Sequence, residues 1–375
     1  MVSLSGHIAL GHWTQKFPGD LDVAGKLYAG VVVRALLLTG LLSSGGSLMA
    51  QVLPDARIYA HRGSSALLPE HTLAAYAQAI ADGAHYIELD LVPSADGVLV
   101  VRHENELSGT TDVADHRQFR DRRTTKLIDG QPVEGWFTED FSWAELQQLR
   151  ARERLPELRS TAFDGQFRLA RLEEVIALVV SQVARTGRGV GLAPELKHPA
   201  YFRSLGLSLE DRVLEVLAAD PYTRVAPVVI QSFQADSLRQ LRQRVPKGGN
   251  IALLQLVGRD QAAVLDDAGL AAIASYADVL GPDRLLVIPR QADGRLAAPG
   301  NLVQRAHAVG LQVVPWTFRP ELPFLPAGLP LSSDGPRQEA AAVAEMQAYL
   351  ATGIDGLMTD DPALGVRSVA GASGH

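Results

Sequence analysis

From Arg57 onward, short apolar runs alternate with stretches that carry apolar residues on one helical face, and this alternation limits what the chain can fold into. The runs lie at 57–61, 85–91, 189–196, 226–233, 250–257, 277–281, 311–317 and 354–359. Between the first two, Leu73, Tyr76, Ala77 and Ile80 follow the i, i+3, i+4, i+7 pattern of an amphipathic helix, and Gly83 is placed to end it. Strand–helix alternation of this kind predicts parallel strands joined by crossover helices. Eight such units predict a closed (β/α)₈ barrel. A further apolar run at 98–103 follows 85–91 after only Pro93-Ser94-Ala95-Asp96-Gly97, too few residues for a parallel crossover. Asp96-Gly97 instead suits a hairpin turn, so an antiparallel excursion is expected on the second strand, making the barrel irregular there.

Residues 104–168 interrupt the alternation. They are polar and rich in Arg, Asp and Thr, with Trp136, Phe137, Phe141 and Trp143 as aromatic anchors and a helix expected over 142–151. They are expected to cap the barrel mouth beside His103. The domain expected over 55–366 thus includes this insertion, with 367–375 left as a short flexible tail. Residues 1–54 read as a leader: Arg34, the apolar run Ala35–Leu42 and a small-residue stretch ending near Ala50 resemble a secretory signal. The run is too short to span a membrane. Export to the periplasm or beyond is the expectation, with a biological start near Val31–Val33; a leader on a cytoplasmic enzyme is the alternative.

The chain has no cysteine, which excludes disulfides and thiolate metal sites, and 47% apolar residues supply a core without them. A net charge of −7 argues against nucleic acid as partner. Chemistry is expected where side chains end barrel strands. His61 ends the first run and His103 the extra one, and imidazole suits proton transfer near neutral pH. Glu88 and Asp90, two apart in a strand, share one face while Ile87, Leu89 and Leu91 share the other. Glu195 and Lys197 repeat the spacing at the end of 189–196. Three carboxylates without thiolates favour one divalent cation, Ca²⁺ or alternatively Mg²⁺, over zinc. Arg62 and Lys197 offer positive charge to a phosphoryl group. Phe233 and Trp316 end two further runs and suit the wall of a pocket for an alcohol, although lone aromatics also serve as core. Plain alternatives exist for the others too: core histidines, a solvated edge strand, a structural Glu195–Lys197 ion pair. His71, His85, His116, His198 and His307 fall on helices or loops and read as structural or exposed.

These residues lie in motifs that resemble the glycerophosphodiester phosphodiesterases of the phospholipase C-like phosphodiesterase superfamily. The stretches are HRGSSALLPEHT, IELD, DGVLVVRHE, PELK, QSF, PWTF and GIDGLMTDDP, in that order between Arg57 and Pro362. The insertion, with TTDVADH, GWFTEDFSWAELQQLRA and RLEEV, looks like the longer periplasmic bacterial type. The resemblance implies an irregular TIM barrel and hydrolysis of a small glycerophosphodiester to glycerol 3-phosphate and an alcohol. It implies His61 and His103 as general acid and base, and Glu88, Asp90 and Glu195 as metal ligands. Arg62 and Lys197 would contact phosphate, Phe233 and Trp316 would line the pocket, and Glu70 would stand behind the metal site. His71, His85 and Glu104 depart from the residues common in the family. A phospholipase acting on intact lipids and a non-catalytic secreted binding protein are the rival readings. No stable membrane span is expected, and the oligomeric state is open between monomer and homodimer.

Overall fold

The computed structural model describes residues 56–332 and 335–372. The leader expected over 1–54, and the last three residues of the expected tail, lie outside them. Eight parallel strands form the barrel: β1 (Arg57–Ala60), β2 (Tyr86–Pro93), β6 (Gly191–Leu196), β7 (Val228–Ser232), β8 (Ile251–Val257), β9 (Val279–Pro282), β10 (Gln312–Val313) and β11 (Gly356–Thr359). They are ordered β10-β9-β8-β7-β6-β2-β1-β11. Between β10 and β11 a parallel bridge pairs Phe318 with Thr359, and Asp355 N–H donates to Val313 O at 2.9 Å, which nearly closes the circuit. All eight expected runs are therefore strands. The seventh is regular over only two residues, because Pro315 supplies no donor, yet Val314 and Trp316 still donate to Leu280 O and Pro282 O.

The extra run is an antiparallel excursion, as its spacing required. β3 (Leu99–Val101) pairs Val101 with Leu91 and Leu99 with Pro93. Gly97, at φ +75°, makes the turn.

Two apolar layers hold the barrel. Tyr59, Ala193, Val229, Leu254, Leu256, Val279, Val314 and Met358 fill its interior. Ile87, Leu89 and Leu91 of β2 belong to the larger cluster that packs strands against helices. Helix α1 (Leu73–Ala81) opens with Thr72, whose side chain accepts from Ala75 N–H, and buries Ala75, Tyr76, Ala79 and Ile80 against that layer.

The insertion differs from expectation in two ways. The helix expected over 142–151 is a single turn, α2 (Trp143–Leu146), started by a Ser142/Glu145 capping box. It stops because the chain beyond it pairs instead with other segments: Thr111 with Ala151 and Arg150 with Arg168. The insertion also contains a hairpin, β4 (Thr124–Ile128) with β5 (Gln131–Gly135), joined by Asp129-Gly130 at φ +48° and +80°. Trp136, Phe137, Phe141 and Trp143 are all buried and do anchor it. At the other end, residues 367–372 are not a tail, since a helix runs over Pro362–Ala372. No helix among the described residues is long and apolar enough to cross a membrane.

Candidate active site

The pleat and the register assemble the acids. Glu88 and Asp90 project from one face of β2, and Asp90 pairs directly with Glu195 of β6. Glu195 pairs in turn with Gln231 of β7. Ligand atoms of Glu88, Asp90 and Glu195 all lie within 4.8 Å of one another, and all three residues are buried. Burial, then Asp90 and Glu195, push the Glu88 carboxyl well above its usual range. Burial likewise raises Glu195, to about 7, against the pull of Lys197. Burial would raise Asp90 too, but Lys197, His103, the His71 hydrogen bond and Arg62 outweigh it and hold Asp90 well below the carboxylate range.

Two cations stand beside the acids. Lys197 Nζ is 2.7 Å from Glu195 Oε1 and 3.8 Å from Asp90 Oδ1. Arg62 follows β1 with φ +59°; its N–H donates to Glu88 Oε2 at 2.8 Å and its Nε lies 3.4 Å from Asp90 Oδ2. Behind it, Glu70 accepts from Arg62 Nη1 at 3.1 Å. Glu70 thus touches Arg62 rather than the three acids.

Each histidine has a carboxylate at Nδ1. His61 Nδ1 is 2.5 Å from Asp360 Oδ1, and His103 Nδ1 is 2.5 Å from Glu104 Oε1. A carboxylate at Nδ1 fixes the ring and leaves Nε2 as the working nitrogen. Burial and then Arg62 lower His61 to about 4 despite Asp360. Burial, Arg62 and Lys197 lower His103 to about 3 despite Asp90 and Glu104. Both shifts favour the neutral ring.

These groups line one cavity of about 250 Å³ together with Phe233 and Trp316. The two aromatic rings meet edge to face with centroids 5.5 Å apart, and Trp316 Nε1 donates to Gly281 O at 2.8 Å. Every residue expected at the site lines the cavity or, like Asp90 and Glu70, touches one that does.

Sequence reasoning passed over several residues. His71, read as structural or exposed, is buried and places Nε2 2.9 Å from Asp90 Oδ2, with Nδ1 2.7 Å from Tyr76 OH. Its left-handed backbone (φ +60°) puts it there, and no spacing rule marks it. Gln231 donates to Glu88 Oε1 at 3.1 Å. Asp360 and Glu104 sit inside quoted motifs, but only coordinates reveal which imidazole each holds.

The residues fit a cation on two observations. The donor set is all oxygen, buried and mutually repulsive, which is what a hard divalent ion relieves. Beside it, Gln231 Oε1 is buried with no hydrogen-bond donor among the described residues, marking a place short of positive charge.

A polar pocket of this kind suits the cleavage of a P–O bond, and on this fold it defines a barrel phosphodiesterase. Comparison with known proteins narrows the class. The chain belongs to the glycerophosphoryl diester phosphodiesterase family, whose sequence model matches residues 61–364. A glycerophosphodiester phosphodiesterase of Arabidopsis thaliana is 36% identical over 285 residues, covering 71% of this chain and 75% of its own. One of Haemophilus influenzae is 29% identical over 324 residues, covering 76% and 86%. Among solved structures, a Silicibacter pomeroyi protein of the same description has a TM-score of 0.59 at 22% identity, over 85% of this chain and 94% of its own. An Oleispira antarctica phosphodiesterase, solved with sn-glycerol-3-phosphate, has a TM-score of 0.56 at 21% identity, over 85% and 97%. These structures share the barrel fold. The enzyme's activity is that of a glycerophosphodiester phosphodiesterase.

Proposed function

We propose that the enzyme hydrolyses deacylated glycerophosphodiesters, such as glycerophosphocholine and glycerophosphoethanolamine, to sn-glycerol 3-phosphate and the free alcohol, with His61 and His103 as the acid–base pair. The observation that carries this reading is the meeting of both imidazoles with Arg62, Lys197, Glu88 and Glu195 around a single cavity of about 250 Å³, with Asp90 within 4.8 Å of the two acids. That volume suits a small polar diester.

Glu88, Asp90 and Glu195 would hold a divalent cation, Ca²⁺ or Mg²⁺. When bound, it supplies Lewis-acid neutralisation of phosphoryl oxygen charge. Arg62 and Lys197 bind the same anionic group and oppose the charge that builds on it in the transition state. One imidazole accepts at Nε2 the proton of the attacking hydroxyl, whether that of water or of the substrate's own glycerol. The other donates a proton to the leaving alkoxide. Donation requires a protonated ring, and a bound phosphodiester anion favours one by offsetting the charge of Arg62, which depresses both histidines, and that of Lys197, which depresses His103. Asp360 and Glu104 keep the rings oriented through the cycle. Phe233 and Trp316 face the alcohol and shelter the reacting centre from water.

Export belongs to the same proposal and rests on the apolar run after Arg34. N-terminal sequencing of protein from the cell envelope tests it; a mature terminus before Arg34 would refute it. For the reaction, metal-stripped protein is to be assayed on glycerophosphocholine, glycerophosphoethanolamine and phosphatidylcholine, with Ca²⁺ or Mg²⁺ restored in turn. Turnover of the deacylated diesters only with cation is expected. Preference for the intact lipid, or undiminished turnover after chelation, would contradict the reading.

A further inference from the structure

An imidazole is held as firmly as the carboxylate behind it. At this site both carboxylates end on arginines of one short stretch of the insertion, Arg154-Leu155-Pro156-Glu157-Leu158-Arg159. Asp360 gives Oδ1 to His61, while its Oδ2 accepts from Arg159 Nη2 at 2.6 Å and from Arg319 Nε at 3.0 Å. Glu104 accepts from the Arg154 fork at both oxygens, 2.9 Å to Nη1 and 2.6 Å to Nη2, while Oε1 also meets His103. Arg159 is itself pinned, donating from Nε to Glu321 Oε1 at 2.7 Å and from Nη1 to Ser65 O at 2.8 Å. Its side chain is only 5% exposed, so the Arg159–Asp360 pairing is buried, whereas Arg154 and Glu104 are more open, at 28% and 37%.

Arg154 has a second task. It donates from Nε and Nη2 to the two oxygens of Glu70 at 2.7 Å each, and Glu70 holds Arg62. One arginine therefore reaches both an acid–base histidine and the phosphate-facing guanidinium. Arg159 reaches only the histidine side. A planar fork serves here where a lysine would not, because each carboxylate is met with fixed geometry.

We propose that Arg154 and Arg159 are positioning residues, through which the inserted segment sets the orientation of His103 and His61 and thereby takes part in the reaction. The inference rests on the reading of those histidines as the acid–base pair. Small misplacements of a reacting group cost large factors in rate. Loss of such outer partners at other sites costs about 10- to 100-fold in activity.

The two arginines carry different kinetic signatures, which a purely structural role would not produce. With glycerophosphocholine as substrate and saturating cation, Arg159→Met should lower kcat by about tenfold or more with KM within about threefold. Arg154→Met should lower kcat and raise KM together, because Arg62 loses its support through Glu70. Arg152→Met, two residues away in an exposed pair with Asp115, should leave both parameters unchanged. If Arg159→Met is not recovered folded, Arg159→Lys keeps the charge, loses the fork and is judged by the same criterion. Wild-type kcat in the Arg159 and Arg154 variants would overturn the proposal, as would losses equal to the fall in folded fraction. Should His61→Ala and His103→Ala retain turnover, the acid–base reading itself fails; should those be inactive while both arginine variants are normal, only this inference does.

Discussion

At the residue scale the site is a set of charges kept in place by other charges. His61 shows the consequence most clearly, because burial and Arg62 hold it at about 4, below its ordinary 6.5. Between those values the unfolded chain binds a proton that the folded enzyme does not, so stability rises with pH across the window. The contribution is complete above about 6.5 and is lost as pH falls toward 4. His61→Gln, which has no such proton site, should therefore show a shallower fall in Tm between pH 7 and 4 in chelated protein. Parallel Tm profiles for the two proteins would contradict the assignment. The sequence marked Glu88, Asp90 and Glu195 because their strand face follows from the pleat, and His61 and His103 because each ends an apolar run. It did not mark Asp360, Arg154 or Arg159 as partners. Their roles depend on contacts such as Asp360 with Arg159, between segments of chain that no local pattern joins.

At the element scale, the turn from β1 into α1 does much of the placing. It sets His61 and Arg62 at the strand end and closes through Gly63, whose φ is +89°. A Cβ there would lie 2.8 Å from the Ala75 carbonyl carbon in α1. Gly63→Ala therefore combines left-handed strain with a backbone collision, next in sequence to Arg62. We expect a loss of about 2 kcal/mol or more in urea unfolding together with a marked fall in kcat. Wild-type stability and activity would show that the turn is less constrained than its geometry implies. The barrel strands and the β2–β3 excursion were legible because short apolar runs and turn residues are local signals. Asp129-Gly130 was an equally local hairpin signal in the insertion, but the flanking Thr-Thr-Lys-Leu-Ile and Gln-Pro-Val-Glu-Gly are mostly exposed and do not alternate in sequence, so the apolar pattern gave no second cue. The overlong expectation for α2 failed for the opposite reason: long-range pairing of Arg150 and Ala151 overrode a helical local pattern.

At the scale of the whole molecule, the barrel brings residues from the ends of several strands, and from the insertion, to one mouth. Register does the assembly, since the pairing of Asp90 with Glu195 and of Glu195 with Gln231 fixes the acid cluster before any side chain turns. The barrel supplies acids and cations, while β3 carries His103 back to them and the insertion braces both imidazoles. We propose that His61 and His103 serve one reaction centre whose cation would be held by Glu88, Asp90 and Glu195. The measurement that tests it most directly is single-turnover cleavage of glycerophosphocholine by cation-saturated wild-type, His61→Ala and His103→Ala enzymes, with cation affinity measured by calorimetry on the same samples. Both variants should lose a factor of about 100 or more in rate while binding the cation as the wild type does. Cleavage within about tenfold of wild type by either variant, at full cation occupancy, would contradict the account.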